Sequence, residues 1–340
     1  MRRILGRIAL VLLVVVVTAL GVSYSWTFTP IGRLDYVPAV LAKLVLWQDA
    51  PAEFTPDARR AANEQVALML SSIEATPLAR TEDREIPSPD GHDIPVRIYW
   101  PDATGPLPLY LDIHGGGWWM GDGFVFDPVT AAFAAGTQAI VVSVDYRLAP
   151  EHPFPAALDD CAAVLNWMHA NAAELGGDPG RIAIGGGSAG GNLAAALTLR
   201  TRDEGGPKLA FQYLFVPVTD LTATTQWPSY TEAGDAYLLK VSQLGQVFGA
   251  YVPDESERAN PYVSPLLAED LSGLPPAFIV TAHFDPLRDQ GEAYARKLEG
   301  AGVRVQLHRE RALHGMVGSF DRAQRVEGMA IGMVREALAP

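Results

Sequence analysis

From about residue 85 onward, short runs of β-branched and aromatic residues alternate with stretches whose apolar positions recur every three to four residues. The first pattern predicts strands at 94–100, 109–114, 139–145, 181–185, 211–216, 277–282 and 303–308. The second predicts helices at 128–135, 156–173, 189–202, 289–300 and 321–338. Strands separated by helices of this length require crossover connections, which build a mainly parallel sheet. Ala139-Ile-Val-Val-Ser-Val is almost continuously apolar, as expected of a strand covered on both faces. No internal repeat or low-complexity segment interrupts the pattern. Two regions depart from it. Residues 34–81 are helical in character, best at 58–73, and 222–261 carry Trp227, Tyr230, Tyr237 and Tyr251 on a helix-and-loop background. Long excursions from a compact sheet usually have a function, often as lids. The expected organisation is an N-terminal segment 1–30, cap helices within 31–84, and a catalytic α/β domain over 85–340 with an inserted cap at about 222–261.

The first thirty residues follow another rule. Arg2, Arg3 and Arg7 precede the uncharged run 8–22, and the next charge is Arg33. Trp26 and Phe28 fall where an interfacial aromatic belt would lie. A cleaved signal peptide fits the charged start, the apolar middle and Ala19-Leu20-Gly21 as a cleavage site. An uncleaved anchor, the favoured reading, fits the span from Leu5 to Tyr24, near the 20 or so residues a membrane requires. Either form places the catalytic part outside the cytoplasm, membrane-anchored or secreted, with residues 1–30 in contact with a membrane.

Composition narrows the function. The chain has 340 residues with a formal net charge of −13. Beyond the first seven residues it has no run of Lys or Arg, so a nucleic-acid partner is not expected. Its single cysteine, Cys161, excludes an intrachain disulfide and a cysteine-based metal cage, and reads as a buried structural thiol. A homodimer stays open.

The chemistry concentrates in four places. Gly186-x-Ser188-x-Gly190 follows a predicted strand and opens a predicted helix, the setting of a nucleophile elbow, in which small residues permit a sharp turn. Gly185, Gly187 and Gly190 also spell Gly-x-Gly-x-x-Gly, but Asp203 and Glu204, the acidic residues at the right distance, lie in a loop before the next strand, so a dinucleotide site is disfavoured. His114-Gly115-Gly116-Gly117-Trp118 follows the strand at 109–114, and upstream of an elbow such a glycine run reads as an oxyanion loop. The N–H of Ala189, at the positive end of the elbow helix, would be its second pole. The base must follow the acid, leaving His308 and His314. His308 sits inside a strand pattern, whereas His314 lies beyond it beside Gly315 and is the better base. The acid is Asp285 or Asp289, and Asp285 is favoured because it ends a strand, at the edge where ligands of open α/β sheets gather. A metal held by His283 and Asp285 lacks further ligands of suitable spacing, and none is expected.

These residues resemble the hormone-sensitive-lipase family of bacterial esterases, the family IV carboxylesterases, over roughly 85–320. The resemblance rests on six motifs in order: His114-Gly-Gly-Gly-Trp-Trp, Asp145-Tyr-Arg-Leu-Ala-Pro-Glu-His-Pro-Phe-Pro-Ala-Ala-Leu-Asp-Asp, Gly187-Ser-Ala-Gly-Gly-Asn-Leu, Asn260-Pro-Tyr-Val-Ser-Pro-Leu, Asp285-Pro-Leu-Arg-Asp and His314-Gly. It implies an α/β-hydrolase sheet under a helical cap, no cofactor, and hydrolysis of short- to medium-chain carboxylic esters. It also implies a Ser188–Asp285–His314 triad with oxyanion donors at Gly116, Gly117 and Ala189. Two positions depart from the family pattern: Gly187 stands where Asp or Thr is usual, and His283 where Glu is common. Trp118, Trp119 and the aromatic cap suggest an apolar acyl or alcohol group. The alternatives are an amidase or peptidase of the same fold, and a ligand-binding receptor, against which retention of all three triad residues argues.

Overall fold

A computed structural model describes residues 2–44, 51–222, 226–235 and 237–340. One sheet holds eight strands: β1 (Arg80–Pro87), β2 (Asp93–Trp100), β3 (Leu107–Ile113), β4 (Ile140–Val144), β5 (Gly177–Gly187), β6 (Leu209–Phe215), β7 (Ala277–Phe284) and β8 (Val305–Leu313). Their spatial order is β8-β7-β6-β5-β3-β4-β2-β1. β2 is antiparallel to β1 and β4, and every other pairing is parallel. This is an α/β-hydrolase architecture with helices on both faces.

Side-chain alternation along the strands divides the core in two. Leu109, Leu111 and Ile113 of β3 point to one side, where they join Leu158, Cys161 and Leu165 of the helix Ala156–Ala170 and Leu193 of the helix Ala189–Glu204. Tyr110 points to the other, with Ala134 of the helix Asp127–Thr137 and Val326, Ala330 and Val334 of the helix Phe320–Ala337. All five residues of β4 are buried, which explains its unbroken apolar run. Cys161 lies fully inside the first cluster, and burial pushes its thiol well above the ordinary range. It is an inert packing group.

Two edges differ from the sequence reading. β1 falls partly within the stretch read as helical, because Arg80-Thr-Glu-Asp-Arg-Glu contains too little apolar signal to mark a strand. Only Ile86 is buried there, and pairing with β2 supplies what the side chains do not. Charge on an edge strand also discourages sheet-to-sheet association. β8 continues past 308 through Arg309-Glu-Arg-Ala to Leu313, and so delivers the chain directly to His314.

The N-terminal helix Arg2–Ser25 corrects the spanning-anchor expectation. Among the described residues, no helix is long and apolar enough to cross a membrane. The apolar stretch of this helix is nevertheless exposed, with Leu10 and Val14 still 61% and 57% accessible. The chain then folds back: a short hairpin pairs Phe28–Thr29 with Gly32–Arg33, and the helix Tyr36–Leu44 follows.

Candidate active site

Strand β5 ends in three glycines and passes straight into the helix Ala189–Glu204, so Ser188 sits at the junction with φ +55° and ψ −115°. A non-glycine residue at positive φ stores strain, which its surroundings must hold in place. Here the Ser188 N–H donates to the Phe215 carbonyl at 2.8 Å, and Asn192 clamps the helix by donating to the carbonyls of Val218 (3.0 Å) and Val263 (2.9 Å). Gly190 is required by packing, since a Cβ there would stand 2.0 Å from the Ile113 carbonyl oxygen. Gly187 is less constrained: a Cβ would meet Phe215 at 3.3 Å, so that ring already occupies part of the space a larger residue would take.

Three predicted residues come together at the sheet's C-terminal edge. The His314 Nε2 lies 3.0 Å from the Ser188 Oγ, and its Nδ1 lies 2.7 Å from the Asp285 Oδ2. With Nδ1–H donating to the carboxylate, Nε2 is free to accept the serine proton. Asp285 is buried and its other oxygen accepts from the Leu287 N–H at 2.9 Å, fixing the carboxylate from both ends. Asp289 faces elsewhere. It accepts from the Ser229 N–H at 2.8 Å, at the start of the cap helix Pro228–Ala233, and from the Arg288 Nε at 2.8 Å. His308 pairs with Glu310 at 3.2 Å on β8.

The glycine loop lies directly against the elbow, for a Cβ built at Gly115 would approach the Ser188 Cβ to 3.6 Å. Gly116 has φ +124° and a Cβ there would collide with the Met120 carbonyl at 2.1 Å. His114 is buried, stacked on Tyr146 at 4.2 Å, and donates from Nδ1 to the Gly115 carbonyl. Burial lowers its pKa to about 4, so it is a neutral brace at pH 7. The Tyr146 hydroxyl donates to the His114 carbonyl at 2.9 Å. Trp118 and Trp119 are both buried rather than lining an open wall. Trp118 stacks flat on Tyr251 of the cap helix Val241–Tyr251 at 4.4 Å. The cap is thus glued to the loop by aromatics.

The N-terminal segment packs behind the triad. Trp26, Ile31, Leu34, Ala39 and Ala42 form a cluster with Tyr237, Phe284 and Leu313, the last two adjoining Asp285 and His314. The Tyr237 hydroxyl donates to the Trp26 carbonyl at 2.5 Å, and the His283 Nε2 lies 3.1 Å from the Ile31 carbonyl, to which it can donate. His283 therefore has a local use that its departure from the family pattern did not disclose. Among the described residues, no group of His, Cys, Asp and Glu could hold a metal ion.

Residues 110–317 match a family model described as α/β hydrolase fold. Carboxylesterase NlhH of Mycobacterium tuberculosis is 47% identical over 317 residues, spanning 91% of this chain and 98% of that protein. An arylesterase of Saccharolobus solfataricus is 38% identical over 79% of this chain and 87% of its own. Among solved structures, EstE1, a thermophilic carboxylesterase cloned from a metagenomic library, superposes with a TM-score of 0.82 at 37% identity, covering 86% of this chain and all of its own.

Proposed function

The chain belongs to the α/β-hydrolase fold family and is one of its carboxylesterases, and from that premise we propose that it hydrolyses short- to medium-chain carboxylic esters through an acyl-enzyme on Ser188. The observation carrying this reading is the hydrogen-bonded relay of Ser188, His314 and Asp285, at 3.0 and 2.7 Å. His314 takes the proton from Ser188 as its oxygen attacks the ester carbonyl. The Gly116, Gly117 and Ala189 N–H groups hold the oxyanion, and the imidazolium returns the proton to the departing alcohol. Water then attacks the acyl-enzyme by the same route, releasing the acid and freeing Ser188. Asp285 keeps the imidazole in the required tautomer and stabilises its charged form. No cofactor enters any step.

The chain's organisation is part of the same reading: the helices Tyr36–Leu44 and Pro56–Leu70, with the inserted helices Pro228–Ala233 and Val241–Tyr251, cap a catalytic domain whose sheet starts at Arg80. A cap glued down by Trp118 and Tyr251 leaves less room for long acyl chains. Chromogenic esters of increasing acyl length, beside a matched anilide, test this. Acetyl to octanoyl esters are expected to be turned over well, with palmitoyl esters and the anilide slower by at least about tenfold. Preference for the anilide would instead make the enzyme an amidase, and tight binding without turnover would make it a receptor.

The exposed apolar helix supports a further part of the reading, that residues 1–30 bring the enzyme to a membrane, with its catalytic part outside the cytoplasm. Arg2, Arg3 and Arg7 supply the charged start of an export signal, and a helix that does not span would then rest on the outer membrane face. At the other end Arg33 lies over the Tyr24 ring at 4.5 Å and the Phe28 ring at 5.5 Å, an aromatic-cationic group suited to a headgroup layer. Fractionating cells that express the full chain, with N-terminal sequencing, tests it. The expected result is protein in the membrane fraction, or exported with a new N-terminus near Val22. An intact chain in the cytosol contradicts it.

A further inference from the structure

The helix Pro56–Leu70 is held against the turn after the glycine loop without one fully buried residue. Apolar burial is therefore a weak part of what seats it, and polar side chains carry more of the task. Two of them, Arg59 and Asn63, stand one helical turn apart on the same face. Both reach the turn that follows the oxyanion glycines. The Arg59 Nε donates to the Trp119 carbonyl at 2.7 Å, and a terminal nitrogen donates to the Ala149 carbonyl at 3.1 Å and to Glu151 at 2.7 Å. The Asn63 Oδ1 accepts from the Gly121 N–H at 2.8 Å, while its Nδ2 donates to Asp122 at 3.1 Å. Below the helix, Phe54 rests on the Trp119 ring at 4.7 Å.

The held turn closes back on the loop. The N–H groups of Trp119 and Met120 donate to the Gly116 carbonyl at 3.2 and 3.1 Å, so 116–121 is one unit. Gly116 and Gly117 both have positive φ, and glycine has the widest backbone freedom of any residue. An oxyanion hole needs its donors fixed before charge develops, since their preorganisation is what stabilises the transition state. Two flexible glycines cannot supply that rigidity alone.

Resting on the acyl-transfer reading above, we propose that the helix Pro56–Leu70 is a positioning element for the oxyanion hole, with Arg59 and Asn63 as its positioning residues. Neither side chain touches the reacting atoms. Their bonds to Trp119 and Gly121 fix the far end of the turn whose near end carries Gly116 and Gly117. Seating this cap helix and completing the hole are then one event.

Arg59→Ala, Asn63→Ala, Arg59→Lys and a control on the same helix, Arg60→Ala, test the proposal. The control removes an exposed side chain whose ion-pair partner among the described residues is Asp57, on the same helix. For each, kcat and KM on a short-chain ester are measured with the affinities of two inhibitors and a thermal melt. An alkyl boronic acid adds to the serine as a tetrahedral anion and needs the hole, whereas a non-hydrolysable ether of the same shape does not. Arg59→Ala and Asn63→Ala are expected to lower kcat about 10- to 100-fold, the scale of a misplacement near 1 Å. KM and ether affinity should stay within about threefold, and boronate affinity should fall in step with kcat. Lysine, which keeps the charge and a donor nitrogen but not the guanidinium fork, should recover part of the loss, and Arg60→Ala should match the parent. Unchanged kcat overturns the proposal, as does equal weakening of both inhibitors, or a loss shared by Arg60→Ala that follows the melting temperature. Ser188→Ala runs alongside: if it still turns over ester, the acyl-transfer reading itself fails.

Discussion

Alanine at Ser188 or at His314 is expected to reduce kcat by about 10⁴- to 10⁶-fold, and both together by little more than either alone, because the two side chains act as one unit. The expectation follows from the 3.0 Å contact between the Ser188 Oγ and the His314 Nε2. Without the imidazole the hydroxyl keeps its proton and attacks poorly, and without the hydroxyl the imidazole has nothing to activate but water. KM should change far less, since neither group holds the acyl chain. Alanine keeps the Cβ and with it the positive-φ strain at 188, so folding stability should stay close to the parent's. Steady-state kinetics on a short-chain ester, with a thermal melt of each variant, measure these effects. Near-parental turnover in a folded Ser188→Ala protein would place the nucleophile elsewhere. Losses that multiply in the double variant would mean that the two residues act in separate steps.

A second large effect separates two carboxylates only four residues apart. Asp285→Asn should lose at least about 10²-fold in kcat while remaining folded. The corresponding change in a serine protease costs about 10⁴, equivalent to roughly 5.5 kcal/mol of transition-state stabilisation. Asparagine at 285 can present its N–H₂ to the His314 Nδ1, which favours the tautomer with Nε2 protonated and so unable to accept from Ser188. Asp289→Asn should keep most of the activity. Its carboxylate accepts from the Ser229 N–H and the Arg288 Nε, so the expected cost is on the order of 1 kcal/mol of stability through weakened hydrogen bonds to the cap. Comparing kcat and melting temperature for both variants decides the assignment. A dead Asp289→Asn beside a near-normal Asp285→Asn would reverse the two roles.

The central strands were legible in the sequence because a strand covered on both faces must be apolar throughout, as β4 is. Of the edge strands, β8 was legible in part, over 303–308, and β1 was not. β1 is mostly charged and exists through its pairing with β2, which leaves little periodic trace. Ser188 and the glycine loop were legible because sharp turns and close backbone approach restrict the residue types allowed, leaving a local signature. His314 and Asp285 could be ranked by their places beyond strands, although the choice between Asp285 and Asp289 needed coordinates. Arg59 and Asn63 gave no such signal: in the sequence they are polar positions on a half-exposed helix, and their partners lie about 60 residues away. His283 was visible only as a departure, and its contact with the Ile31 carbonyl spans 252 positions. The tryptophans gave the opposite difficulty. Trp118 and Trp119 advertised an apolar substrate wall, yet both are buried in the joint between cap and loop.

The central claim is that the reaction passes through a covalent intermediate on Ser188. Intact-protein and peptide mass spectrometry after brief mixing with an activated ester, quenched in acid, measures it directly. The account predicts one acyl group per chain, carried on the peptide containing Ser188, forming in a burst ahead of steady-state turnover where deacylation is slow, and absent from Ser188→Ala. It predicts the same peptide as the site of a phosphonate that blocks activity. Full hydrolysis with no phosphonate labelling, or acylation and inactivation mapped to another residue, would contradict it.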